Sequence, residues 1–488
     1  MNSPSHQKAE APSYCDSDPI LIQGGMGVGV SGWRLANAVA RTGHLGVVSG
    51  TSLDTVLVRR LQDGDADGHV RRALAAFPCQ DSARAIVGRW WRPSGRASDR
   101  PYDLLPMPRL DEKPWRLRLV VAAAFVEVWL AREGHAAPIG INLLTKIRIP
   151  TLPTLYGAML AGAAWVLMGA GIPKFVPTEM TRLAQHRDAS LPLDVAGATR
   201  AWAAPFRPSA LFPSLKNALT VPRFLAIVSS HSLATMLTRK GDEVVHGFVV
   251  EGPSAGGHNA PPRGSPQHNS RGEPCYGRRD EVDHGAMRAL GRPFWLAGGY
   301  GRRDGLQRAQ SLGARGIQVG SLFAFCMESG IATPHRRAIL SAIKGGRLDV
   351  FTDPRASPTG YPFKILRGPG IPEQPENRIR RCDLGYLREC YERPDGQIGY
   401  RCPGEPEDAW VRKGGRPEDC LGRRCLCNGL IANIGHPQPR AESDESPLLT
   451  AGDDIHQIAE LLNGRDDYSA ADVVEYLSRE TPFPGTAQ

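Results

Sequence analysis

Apolar residues in the first two-thirds of this 488-residue chain fall in short continuous runs, not in alternation. The runs cover 19–23, 45–48, 137–142, 164–168, 223–228, 245–250, 293–297 and 316–319. Unbroken apolar runs of this length suit strands buried on both faces of a parallel sheet. Segments with helical spacing lie between several of them. Residues 33–41 place Leu35, Ala38 and Val39 on one face, and 302–312 follow a glycine-rich turn and stop at Gly313. Strands alternating with helices give the α/β class, and about eight strands predict a closed (β/α)8 TIM barrel over 19–345. Two connections exceed what such a barrel needs. The first, 78–134, is expected to elaborate the barrel mouth. The second, 171–222, shows no obvious internal structure, and long loops of that kind often act as lids. Residues 1–18 read as a disordered polar tail. A Cys-, Arg- and Gly-rich extension is expected over 346–436. A polar linker and C-terminal helices at 454–462 and 470–478 are expected within 437–488.

Composition changes this picture little. The chain is 41% hydrophobic and 22% charged, with a net charge of +9. That balance reads as an Arg-rich solvated surface, not a nucleic-acid footprint. The longest apolar stretch, 119–130, is too short to span a bilayer and contains Glu127, so a cytoplasmic protein without membrane contact is expected. In that compartment the 10 cysteines should be mostly thiols or metal ligands, not disulfides. Cys382, Cys390, Cys402, Cys420, Cys425 and Cys427 crowd one region, but Cys425-Leu-Cys427 lacks the spacing of a zinc knuckle. No metal site is assigned.

Candidate chemistry gathers in four loops. Gly27-x-Gly29-x-x-Gly32 spells a dinucleotide fingerprint. However, Gln23–Met26 intervene after the strand, and no acidic residue closes the second strand, as that motif requires. The loop is read instead as lying flat under a ligand. Leu296-Ala-Gly-Gly-Tyr-Gly301 and Gln318-Val-Gly-Ser-Leu322 follow the seventh and eighth strands, where barrels commonly hold a phosphate. Gly298, Gly299, Gly320 and Ser321 supply backbone N–H groups and a hydroxyl for it. His258 ends a loop of small residues after the sixth strand and is placed for proton exchange near neutral pH. His268, Cys275 and His284 lie in a polar, Pro-rich stretch and read as solvated.

Five pieces together resemble the nitronate monooxygenase family, also called 2-nitropropane dioxygenase-like flavoproteins. They are Pro19-Ile-Leu-Ile-Gln-Gly-Gly-Met26, Pro138-Ile-Gly-Ile-Asn142, Ala255-Gly-Gly-His258, Leu296-Ala-Gly-Gly299 and Gly316-Ile-Gln-Val-Gly-Ser321. The resemblance implies an FMN-binding barrel. Gln23, Gly25 and Met26 would border the flavin ring, and Asn142 would hydrogen-bond it or its ribityl chain. Gly256 and Gly257 would admit the cofactor, Gly298, Gly299, Gly320 and Ser321 would hold its phosphate, and His258 would be the active-site histidine. The implied activity is oxidation of alkyl nitronates with O2 to carbonyl compounds and nitrite. Related FMN-dependent enoyl reductases make reduction of acyl-carrier or CoA thioesters, beside a synthase partner, the alternative. A non-catalytic flavin- or metal-bearing interaction protein is a third reading. The chain departs from the family pattern where Asn259-Ala-Pro-Pro-Arg263 follows His258, in its much longer loop after the second strand, and in its Cys-rich extension.

Overall fold

A computed structural model describes residues 18–239, 245–375, 378–440 and 445–479. The tail expected over 1–18 therefore lies outside the described residues except for Asp18, as does part of the linker expected after 437.

Eight parallel strands form one sheet: β1 (Leu21–Gln23), β2 (Gly46–Ser49), β3 (Ile139–Leu144), β4 (Trp165–Gly169), β5 (Arg223–Val228), β6 (Gly247–Glu251), β7 (Phe294–Ala297) and β8 (Gly316–Val319). Each pairs with its sequence neighbour from β2 through β8, and β8 pairs with β1. The ring closes where Ile22 bridges Leu45 in parallel, with Gln23 N–H donating to Leu45 O at 3.0 Å. This is the predicted (β/α)8 barrel, and every strand falls on one of the predicted apolar runs. Inside it, Ile22, Leu45, Val47, Trp165, Leu167, Leu225, Val249, Trp295 and Ala297 form a packed plug. The Trp165 and Trp295 rings meet edge to face, with centroids 6.3 Å apart. The barrel floor is thus solid, and ligands can enter only at the C-terminal ends of the strands.

The connection 78–134 corrects an expectation. It does not simply elaborate the mouth: its second half is the helix Pro114–Ala131, which packs on the barrel helices Trp33–Arg41, Leu53–Gln62 and Thr151–Leu160. That helix is apolar almost all round because neighbours cover it on most sides. Its Glu127 accepts from Arg60 at 2.8 Å and from the N–H of Trp33 at 2.7 Å. No helix among the described residues is long and apolar enough to cross a membrane. The connection 171–222 is also more ordered than its sequence suggests, with a helix Val176–Ala184 and an antiparallel ribbon, Ala189–Leu193 against Trp202–Phe206.

The extension does not stand apart from the barrel. Its first hairpin, Asp349–Asp353 against Phe363–Arg367, runs alongside the loop that carries His258. His258 bridges Phe363, Asn259 N–H donates to Pro362 O, and Lys364 N–H donates to Gly257 O, both at 3.0 Å. Tyr386 reaches under the barrel mouth and donates to the buried Asp54 at 2.5 Å.

Candidate active site

At the C-terminal end of the barrel lies a cavity of about 540 Å3. Its floor is built by loops after β1, β3, β6, β7 and β8. Gly25, Met26, Asn142, Gly256, Gly257, His258, Gly298, Gly320 and Ser321 all border it. Gly299 stands just behind, in the left-handed region at φ 76°, next to Gly298 at φ 79°. Gly25 has a specific reason to lack a side chain: a Cβ there would sit 2.2 Å from the Cβ of Asn142. Gln23 is the exception among the predicted ligands. It does not border the cavity, because its amide is used inside the barrel, donating to Ser31 Oγ at 3.0 Å and accepting from the N–H of Val47 at 3.0 Å. It shapes the glycine loop instead of lining the cavity. His268, Cys275 and His284 lie off the cavity.

The far wall comes from the extension: Tyr361, Phe363, Tyr386, Leu387, Leu426 and Leu430 face the barrel loops across the cavity. No local signal in the sequence ties these residues to His258, because the contact is made by strand register about a hundred residues downstream. Glu251 is a second residue that the motif reading passed over. It ends β6, borders the cavity, and burial pushes its carboxyl up to about 7. A charged residue closing an otherwise apolar barrel strand is the signal that marks it.

His258 sits among hydroxyls. Its Nε2 lies 2.7 Å from Ser357 Oγ and 3.3 Å from Thr359 Oγ1, and its ring meets Phe363 edge to face at 5.0 Å. Burial, with a smaller contribution from the charge of Lys146, lowers its pKa to about 3. The imidazole is therefore neutral at physiological pH.

An FMN-like ligand can be tested against this geometry. Two buried oxygens on the cavity wall, Gln318 Oε1 and Asn259 Oδ1, have no hydrogen-bond partner among the described residues. Buried polar atoms left without a partner point to a polar guest. The glycine cradle and the cavity volume also fit. The phosphate end differs from the expectation in one respect. The helix after β7 begins only at Gly305, and that after β8 is a four-residue turn, so backbone N–H groups, not a helix dipole, would hold the anion. Asp454 from the C-terminal segment also borders this end and accepts from the N–H of Gly301 at 3.1 Å. Burial raises its pKa, which favours the neutral acid and limits repulsion of a phosphate.

Four cysteines, Cys382, Cys402, Cys425 and Cys427, line a separate small cavity in the extension. Burial raises all four thiols, Cys382 to about 12. Among the described residues no group of three or more His, Cys, Asp or Glu is placed to hold a metal ion.

Comparison with known proteins agrees with the motifs. Residues 204–348, which run from before β5 to beyond β8 and include His258 and both later glycine loops, match the family model described as nitronate monooxygenase. A protein named probable nitronate monooxygenase from Bacillus subtilis (strain 168) is 36% identical over 109 residues. That stretch covers 22% of this chain and 29% of the relative, so the match spans under a third of the relative's length. The family resemblance read from the motifs is thus found independently. Among solved structures, FabK from Thermotoga maritima is similar at 15% identity and a TM-score of 0.46, covering 94% of this chain and 91% of that one. A nitroalkane oxidase from Streptomyces ansochromogenes is similar at 15% identity and a TM-score of 0.43, covering 94% of each chain.

Proposed function

We propose that the chain is an FMN-dependent oxidoreductase that oxidises alkyl nitronates with O2 to carbonyl compounds and nitrite. One observation carries this reading. The matched family segment contributes His258, Gly256, Gly257, Gly298, Gly320 and Ser321, and all of them border one cavity at the catalytic face of the barrel. Gly25, Met26 and Asn142 would lie against the flavin ring, and Gly298, Gly299, Gly320 and Ser321 would hold the phosphate. Bound FMN supplies the one-electron chemistry that links a carbanion to oxygen. The chain's own residues supply the rest. The apolar wall of Leu387, Leu426 and Leu430 would bind the alkyl part of the substrate and exclude water from it. His258 is neutral and held by hydroxyls at Nε2, which would leave Nδ1 for the ligand. There it can orient a nitro oxygen or remove the α-proton of a neutral nitroalkane. The same apolar wall also suits an acyl chain, which keeps enoyl-thioester reduction as the second reading.

The test is product analysis. Under air, the FMN-loaded protein given an alkyl nitronate should form nitrite and consume oxygen. If a pyridine nucleotide is required for any turnover and no nitrite appears, the reductase reading replaces this one.

A further inference from the structure

His258 does not end at Ser357. Ser357 Oγ lies 2.8 Å from Thr359 Oγ1, and Lys146 Nζ donates to Thr359 Oγ1 at 2.9 Å. A continuous wire of two hydroxyls therefore joins a histidine in the cavity to a lysine outside its lining. Lys146 comes from the barrel, two residues after β3, whereas Ser357 and Thr359 come from the extension. Ser357 is fully buried, and Lys146 is half-buried with Nζ 2.9 Å from the ring centroid of Tyr361. We propose that Lys146 is a positioning residue that sets, through Thr359 and Ser357, which nitrogen of His258 carries the proton. The proposal rests on the assignment of His258 as the active-site histidine.

The direction of the wire follows from donor chemistry. An ammonium has three donors and no acceptor. When Lys146 is charged, Thr359 accepts from it and donates to Ser357, and Ser357 donates to Nε2. The imidazole proton then resides on Nδ1, and His258 presents a donor to the cavity, suited to an anionic nitro oxygen. When Lys146 is neutral, its lone pair accepts and every bond can reverse. Nε2–H then donates to Ser357, Ser357 to Thr359, and Thr359 to Nζ. Nδ1 becomes an acceptor, suited to removing a proton from a neutral nitroalkane. In that removal the α-carbon proton moves to Nδ1, the Nε2 proton moves to Ser357, and one hydroxyl proton moves along each link until Lys146 becomes an ammonium. No proton is created or lost.

Burial lowers Lys146 to about 7, so both forms exist at physiological pH. Other charged groups bordering the cavity are Glu251, Arg263, Asp280 and Asp454, together with the phenols Tyr276, Tyr361 and Tyr386. Arg263 is engaged elsewhere, donating to Arg279 O at 2.8 Å, and Asp280 accepts from the Arg263 N–H at 2.8 Å. Among all these, Lys146 is the group whose charge acts on His258.

The experiment is histidine-selective 15N NMR on the full-length protein, with the His258 signals assigned by their loss in H258Q. In the unsubstituted protein the Nδ1-H and Nε2-H tautomers should exchange dominance with a midpoint near pH 7, the value to which Lys146 is lowered. In K146M the tautomer ratio should no longer depend on pH. K146R should lock the Nδ1-H form throughout. Turnover of a neutral nitroalkane by K146M should fall about tenfold, the usual scale for residues acting through a neighbour. A His258 tautomer that is constant from roughly pH 5 to pH 9 in the unsubstituted protein overturns the proposal. That titration needs no substrate to turn over, and the only variant it uses is H258Q, for assignment. Failure of the nitronate reading would leave it intact.

Discussion

Replacing His258 by glutamine is expected to lower kcat/KM for a neutral nitroalkane by about 10²–10⁴-fold, the usual range for loss of a general base. FMN content should stay near that of the unsubstituted protein, because His258 borders the cavity without forming its glycine cradle. The effect should depend on the substrate. A preformed nitronate has already lost its proton, so only the orienting hydrogen bond is missing, and the loss should be smaller by at least about tenfold. Steady-state nitrite formation with both substrates measures the difference. Equal losses would assign His258 to orientation alone, and no loss with either would remove it from the site.

The second large effect concerns stability. Arg116 and Asp54 form an ion pair with both side chains almost completely buried, at 2% and 3% exposure. Tyr386 from the extension donates to Asp54 and lies 2.9 Å from Thr55 Oγ1. Burial alone would weaken the charge on Arg116, but Asp54, with Tyr386 and Glu112, more than offsets it, and the guanidinium is held protonated. Changing Arg116 to leucine leaves Asp54 buried without a countercharge. The expected cost is about 3–5 kcal/mol, read as a lower denaturation midpoint. The double change, with Asp54 also leucine, should recover much of that loss because no orphan charge remains. A single-variant loss below about 1 kcal/mol would mean that the pair is hydrated and does not anchor the extension.

The His258 loop was visible in the sequence, whereas the Arg116–Asp54–Tyr386 contact was not. The barrel could be read because strands buried on both sides must be apolar at every position, and Phe248-Val-Val250 or Trp295-Leu-Ala297 has no other easy home. The glycine loops could be read because a backbone that approaches a ligand or a side chain cannot carry a Cβ, as Gly25 against Asn142 shows. Gln23 was expected to border the cavity and does not, for a related reason. A polar residue ending a barrel strand can face the ligand or turn inward to satisfy the backbone of the next strand, and pattern alone does not distinguish the two. The helix Pro114–Ala131 was hidden because it is buried nearly all round and has no polar face to give it a period. The least visible part was the extension. Ser357, Thr359 and Tyr361 reach the site only because 362–364 lie beside 257–259, and such long-range register leaves no trace in local sequence.

The C-terminal region therefore lines the candidate site and packs against the barrel mouth. Its apolar residues complete the cavity, its hydroxyls hold His258, and its Tyr386 ties it to the buried Asp54–Arg116 pair beneath the mouth.

The central claim is a flavin site that takes electrons from a nitronate. Its most direct test is anaerobic mixing of the FMN-loaded protein with an alkyl nitronate and, separately, with NADH or NADPH, while flavin absorbance is followed. Rapid bleaching by the nitronate alone is expected. Bleaching by the pyridine nucleotide alone, or a protein that takes up no FMN, would contradict it.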